Sequence, residues 1–509
     1  MPNINYVGNP DIVHLIDVLN EQSFKKNKKR RNEKLNKIQR ILVPMVILAI
    51  MAFSTASTVL TRASSTGLVN SNTLTIAGSS TVYPIANEEA SQFTSYWNSL
   101  VAANPSWGAS QITQPIAIAG LGSGTAIPAL VNGQADVGQM SRPPQNSSSE
   151  WLNPSNTNLQ IWAVGVDSVA IVLSPDMTWF PTNLTTFQVA KLFADQPSAY
   201  TTPYYNTWGD FLTDYYNGTS NIPNTVPAAA KTATILRAVR DPTSGTFDCF
   251  NNYFAVPNNF QFQHKTNGTV DNSQQMATYT YCQENINIYN TVSAGNLGSS
   301  SDYIGFISLG YLNTYGHMIG LNIAYNVANL PKSIIAYVQP YVWGPYVAPT
   351  KANVIYGYSG VKGSAATGQY SAWRWLWEVT PSTIPSAGPL LETGVWIAYM
   401  KMANSTQSGN SDFVNDQSFI ELDRADMAGG QVIDANLNAY SPLPGQTQTI
   451  PDGVVNFKDV TYFVSAYIAY NTKGIYNPYA DMNADGKINF NDIKAFVADY
   501  INYFVTYNP

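Results

Sequence analysis

Charge is scarce in this chain: Lys, Arg, Asp and Glu together make up 11% of 509 residues, and there are three histidines and two cysteines. Three scattered histidines and one cysteine pair cannot build a His/Cys zinc site. No GxSxG turn, two-metal carboxylate/histidine cluster or cysteine in a nucleophile motif is present, so hydrolase chemistry has no footing and no enzymatic activity is expected. Scarcity of charge is not disorder, because apolar residues make up 45% of the composition and supply a sizeable core. The length exceeds what one core usually organises and implies several domains plus tails.

The few charges are unevenly placed. Nine of the 26 basic residues fall between Lys25 and Arg40, which leaves residues 41–509 with 28 acids against 17 bases. So acidic a body offers no electrostatic footprint for nucleic acid. Directly after the basic run, residues Ile41 to Leu60 form an uncharged stretch of 20 residues, long enough to span about 30 Å as a helix and cross a bilayer. The basic flank predicts a cytoplasmic tail over 1–40, a membrane-spanning helix over 41–60, a Ser/Thr/Asn linker over 61–72 and everything after it outside the cell. A cleaved signal segment is the other reading, since the strongly apolar part is short and small residues follow. Either way the body is exported. Sequons at Asn146, Asn183, Asn217, Asn267 and Asn404 agree with that compartment and suit a glycoprotein. There, Cys249 and Cys282 either close a disulfide or remain two buried thiols.

From about residue 73 short apolar runs alternate with amphipathic stretches, the pattern of an α/β fold with parallel strands. Three Gly/Ser/Thr turns lie between an apparent strand and an apparent helix: GSSTVYP at 78–84, GLGSGT at 120–125 and RDPTSGTF at 240–247. Unpaired N–H groups at helix starts, with hydroxyls nearby, suit a small anion. Ser80, Thr81, Ser123, Ser244 and Thr246 are candidate hydroxyl donors, Gly245 permits close backbone approach, and Arg240 grips a tetrahedral oxyanion through paired N–H bonds. Taken singly, each turn also reads as an ordinary helix cap.

At these residues the sequence resembles the phosphate-binding proteins of ABC transporters, of the periplasmic binding protein type II fold. The markers in order are AGSSTVYP, AGLGSGTAIPALVNGQADVGQMSRPP, DSVAIVLSP, AVRDPTSGTF and YIGFISLGY. The resemblance implies a two-lobed clamp over 73–426, with lobe one at 73–168 and 312–425, lobe two at 169–311, and phosphate or a similar oxyanion in the cleft. It implies delivery to an ABC transporter permease. The family's first-strand hydroxyl falls on Ser80 or Thr81, its Gly-rich serine on Ser123, its arginine on Arg240 and its S-G-T turn on Ser244, Gly245 and Thr246. Ser141, followed by Arg142, stands where some members carry a proton-accepting aspartate. Without that carboxylate, rejection of sulfate is less assured. Arg142 reads equally as an anion contact or as a solvated loop charge.

Near residue 426 the texture changes. DGVVNFKDVTYFVSAYI from Asp452 and DGKINFNDIKAFVADYI from Asp485 share nine of seventeen positions, a duplication. Asp481, Asn483, Asp485, Gly486, Lys487, Asn489 and Asp492 fit a calcium loop in which oxygen ligands alternate, Gly permits the sharp turn and Lys487 offers its carbonyl. The first copy keeps Asp452 and Asp459, and Asp434 with Asn436 would complete it if residues 437–451 loop out. The region 427–509 thus resembles a dockerin-type or EF-hand-like helical repeat. That likeness implies bound Ca2+ and a cohesin-like partner; a self-packed spacer is the other reading. The leading expectation is a surface-anchored, extracellular solute-binding protein, and the alternative is an attachment protein with a vestigial clamp.

Overall fold

The structure is a computed structural model. It describes residues 73–144, 150, 159–193, 205–241, 244–255, 278–294, 302–315, 318–324, 346–354, 370, 372–381, 383–402, 424–430, 432–433, 439–440 and 450–507. The membrane segment expected at 41–60 and the sequons at Asn146, Asn267 and Asn404 lie outside those residues. Among the described residues no helix is long and apolar enough to cross a membrane.

The strands that position the site are β1 (Thr75–Gly78), β2 (Ala117–Ala119), β3 (Val137–Met140), β4 (Leu159–Leu173), β5 (Asn183–Thr185), β6 (Leu236–Arg240), β7 (Tyr279–Cys282), β8 (Tyr303–Ser308), β9 (Ile319–Gly320), β10 (Asn322–Ala324) and β11 (Trp373–Pro381). They run in the order β2-β1-β3-β11-β4-β8-β6-β7, with β9 also on β4. The outer strands of each half, β2-β1-β3 and β8-β6-β7, pair in parallel, while β11 and β4 are antiparallel to their neighbours. Helices α1 (Tyr83–Ala103), α2 (Ala126–Val131), α3 (Gly245–Phe250), α4 (Asn285–Ser293), α5 (Leu391–Met402), α6 (Phe457–Lys473) and α7 (Phe490–Tyr507) are among those that surround this sheet.

The fifteen residues of β4 join the two lobes. Leu159 to Ser168 pair with β11, and Val169 to Leu173 pair with β8, so the strand changes partner between Ser168 and Val169. Nearly every residue of β4 is buried, as expected for a strand covered on both faces. The chain returns to lobe one later than the expected residue 312. β9 pairs with Val172 and Leu173, β10 pairs with β5, and Ile323 bridges Val347, which keeps 319–324 and Val347 in lobe two. Lobe one resumes at β11.

Alternation along β4 sorts the interior into two cores. Ile161, Ala163 and Val166 face a cluster continuous with lobe two, while Trp162 and Val164 face a second cluster. That second cluster holds Phe93 and Trp97 of α1 and Trp396 of α5, and also Phe463, Phe496 and Tyr503 of α6 and α7. The C-terminal repeat is therefore helical, as expected, but it completes the core of lobe one rather than standing apart. Tyr479 Oη donates to the Ala163 carbonyl at 2.9 Å, and its ring meets Trp162 edge-on. Tyr96 of α1 donates to the carbonyls of Asn483 and Ala484 at 3.2 and 2.8 Å. β12 (Ile384–Pro385) pairs with β13 (Ile475–Tyr476), tying the two parts by backbone as well.

Candidate anion-binding site

The start of α1 divides its hydroxyls by task. Ser79 Oγ accepts from the N–H groups of Thr81 and Val82, at 3.1 and 3.4 Å, and so serves the local turn. That leaves Ser80 and Thr81, both buried, facing lobe two. Ser80 Oγ accepts from Arg240 Nη2 at 2.9 Å, and Thr81 Oγ1 lies 3.3 Å from Thr246 Oγ1. Asn285, at the start of α4, donates to Thr81 at 3.3 Å. Two of the three turns expected from sequence to meet at an anion are thus within hydrogen-bond distance of each other, with Asn285 beside them.

The remaining expected residues fall into supporting places. Ser244 Oγ accepts from the N–H groups of Thr246 and Phe247 as the N-cap of α3. Ser123 Oγ accepts from Ser141 N at 3.0 Å and touches Ser141 Oγ at 3.2 Å, stitching the 123–125 turn to the end of β3. A Cβ on Gly245 would fall 2.3 Å from Ser141 Oγ, so only glycine lets α3 approach the loop after β3. Arg142 is neither solvated nor free: Glu150 takes its Nη1 and Nη2 at 2.9 and 2.6 Å, and Asp248 lies 2.9 Å from its Nε.

The charge at the centre comes from two arginines, of which sequence reading supplied one. Arg240, fully buried, donates through Nη1 to Thr246 Oγ1 at 3.2 Å and through Nη2 to the Gln283 carbonyl at 2.8 Å as well as to Ser80. Arg374 of β11, 6% exposed, donates through Nη2 to the same Thr246 Oγ1 at 3.0 Å and to Thr81 Oγ1 at 3.2 Å. Its Nη2 and Nε also reach Asp167 Oδ2 at 2.6 and 3.1 Å, while its buried Nη1 has no hydrogen-bond partner among the described residues. Asp167 is occupied on its other oxygen by the Ser308 hydroxyl at 2.9 Å. Burial first, and the like charge of Arg374 second, pull Arg240 down to about 10, with Asp241 and others opposing less. A guanidinium is rarely moved so far, because it is the side chain least willing to release its proton.

Arg374, Asp167, Asn285 and Ser308 were missed. A readable signal existed: Arg374 sits inside WRWLW, in a strand that also carries Glu378, and Asp167 inside AVGVDSVAIVL, charges among apolar strand residues that must find buried partners. Arg237, equally buried in β6, shows the structural alternative. Its nitrogens go to the carbonyls of Leu192, Tyr205 and Ile235 and to the Thr278 hydroxyl.

The profile of the PBP superfamily domain matches residues 62–381. The chain belongs to the PBP superfamily. It is similar to an ABC-type phosphate transport receptor from Vibrio cholerae, at 17% identity over 68% of this chain and 99% of that one, TM-score 0.39. It is also similar to a phosphate-binding protein from Stenotrophomonas maltophilia, at 12% identity over 69% and 91%, TM-score 0.38. No curated protein matches the chain.

Cys249 and Cys282 are both buried and are not joined by a disulfide. Cys282 Sγ instead lies 3.8 Å from both the Thr291 hydroxyl and the Thr280 carbonyl.

The calcium-type loops follow one wiring. In the second copy Asp481 accepts from Asp485 N and Gly486 N, Asp485 from Lys487 N, and Asp492 from Asn489 N and Met482 N. In the first copy Asp426 accepts from Asp452 N and Gly453 N, Asp452 from Val454 N, and Asp459 from Asn456 N and Met427 N. Asp426 thus stands in the first loop where Asp481 opens the second, and an insertion starts after Ala428 and closes where Gly429–Gly430 pairs with Ile450–Pro451. Asp434 and Asn436 lie outside the described residues. Ala428 stands where the second loop has Asn483, which removes one ligand oxygen. Burial, then the nearby charge of Asp492 and Asp485, holds the Asp481 carboxyl well above the usual range. Among the described residues no three Asp, Glu, His or Cys side chains are gathered as a metal site.

Proposed function

We propose that the chain is an exported, non-enzymatic solute-binding protein whose lobes close on a tetrahedral oxyanion, phosphate first, for an ABC importer permease. One observation carries this reading: two buried guanidiniums, Arg240 and Arg374, converge on one hydroxyl, and Arg374 retains an unpartnered Nη1. Two like charges held together in a dry site destabilise the closed clamp, and a dianion between them would offset that cost. Hydroxyls of Ser80, Thr81 and Thr246 and the amide of Asn285 complete a donor-rich shell around it. Calorimetric titration with phosphate, sulfate, arsenate and molybdate tests the reading and ranks the anions. An inherited, inactive clamp on an attachment protein is what remains if none binds.

We further propose that the second loop holds calcium. Its donors are oxygens of the kind calcium takes, from Asp481, Asn483, Asp485, Asn489 and Asp492 and the Lys487 carbonyl. The ion would relieve the repulsion among the three aspartates. The first loop, lacking an oxygen at Ala428, should bind more weakly through Asp426, Asp452 and Asp459. Export rests on the residues before 73, and sequencing the native N-terminus separates a retained anchor at 41–60 from cleavage. The shared core makes a self-packed brace the better reading of the repeat than a free cohesin-docking module.

A further inference from the structure

We propose that Arg142 and Asp248 form a closure latch between the lobes, which holds the clamp shut without touching the anion. This rests on reading the molecule as a hinged clamp. Arg142 belongs to lobe one, two residues past the end of β3, and Asp248 to lobe two, on α3, the helix whose start carries Ser244, Gly245 and Thr246. The Arg142 Nε to Asp248 Oδ2 distance is 2.9 Å with both side chains about 5% exposed. The Nε–H does not line up on that oxygen, so the contact is an ion pair rather than a directed bond. Glu150 fixes the same guanidinium by a two-bond grip from the lobe-one side, which presents Nε toward α3.

Two other contacts between the lobes run through groups an anion would use. Thr81 to Thr246 and Ser80 to Arg240 must rearrange when an oxyanion enters. Arg142 has no such duty, because its three nitrogens face Glu150, Asp248 and the Pro143 carbonyl. Opening the lobes would strand Asp248 from Arg142, and a buried pair loses more on separation than an exposed one. The latch should therefore slow release more than it speeds capture.

The test labels the full chain in detergent at Gln134→Cys in lobe one and Ser220→Cys in lobe two, both exposed positions, and reads the distance between dyes by energy transfer. Asp248→Asn should shift the ligand-free distribution toward longer distances and raise the phosphate dissociation rate about tenfold, with the association rate within about twofold. Arg142→Gln should do the same, and the double variant should do little more than either single one, since both remove one interaction. Should a single variant fail to fold, Arg142→Lys keeps the charge but loses the two-bond grip, and an intermediate shift is expected. A parent-like distribution and release rate in Asp248→Asn, or fully additive effects in the double variant, overturn the latch. A parent that binds no phosphate, yet whose distribution still moves on Asp248→Asn, keeps the latch and ends the phosphate reading.

Discussion

Two arginine clusters flank the Ser244 to Thr246 segment, and their charge balance is opposite. On one side Arg240 and Arg374 share the Thr246 hydroxyl, with Asp167 committed to Arg374 and Ser308. On the other, Arg142 alone faces two carboxylates, Glu150 and Asp248. The titration tendencies follow the same divide. Burial and a neighbouring cation lower Arg240, whereas for Arg142 burial pulls down but Glu150 and Asp248 outweigh it and raise it. An arginine pair short of carboxylates suits an anion, and one saturated with carboxylates suits a structural tie. Burial alone distinguishes nothing, because both are inside.

The contrast breaks most visibly at Arg374. Arg374→Gln removes a proposed anion donor and strands Asp167, so thermal unfolding should show a loss of about 3–5 kcal/mol. Phosphate affinity should fall at least about tenfold in the same variant. A variant of unchanged melting midpoint would mean that Asp167 is not dependent on the pair. Arg240→Lys should cost about tenfold in affinity with little effect on folding, since an ammonium cannot serve Ser80, Thr246 and the Gln283 carbonyl from one plane. Equal binding by the lysine variant would reduce Arg240 to a point charge.

A pH titration sharpens the comparison without mutation. Arg240 is lowered to about 10, so it keeps its charge through neutral pH and sheds it as pH rises through that value. Phosphate affinity should be level from about pH 7 to 9 and fall above about pH 10, whereas the Arg142 ion pair, raised rather than lowered, should persist across that fall. Affinity level to about pH 11 would contradict the lowering. The smallest effect belongs to neither cluster. Chelation should lower the melting midpoint of the whole lobe-one unit by a few degrees, because Tyr96 ties the second loop to α1. An unchanged midpoint would remove calcium.

Much of this was legible beforehand. The partner switch of β4 falls between Ser168 and Val169, directly after a charged and polar pair, Asp167 and Ser168, that is visible in the apolar run. Local turns pointed to Ser80, Thr81, Arg240 and Thr246, which the fold brings into contact, since hydroxyls beside a strand end leave a visible pattern. Arg374 was hidden because it arrives from a strand some 130 residues downstream, and sequence distance says nothing of sheet order. Asp426 escaped for a similar reason: an insertion separates it from Asp452, while Asp434 offered a nearer carboxylate of the right kind. Fusion of the C-terminal repeat with lobe one was also unreadable, as aromatic residues such as Tyr479 and Phe496 serve a private core and a shared one alike.

The decisive measurement is calorimetric titration of phosphate into the full-length chain and into Arg240→Ala, side by side. The parent should bind one phosphate per chain, and loss of two charge-assisted bonds of about 1.5 kcal/mol each should weaken the variant roughly a hundredfold while it stays folded. A folded Arg240→Ala chain that binds like the parent, or a parent that binds no oxyanion at about millimolar concentration, would contradict an anion site between Arg240 and Arg374.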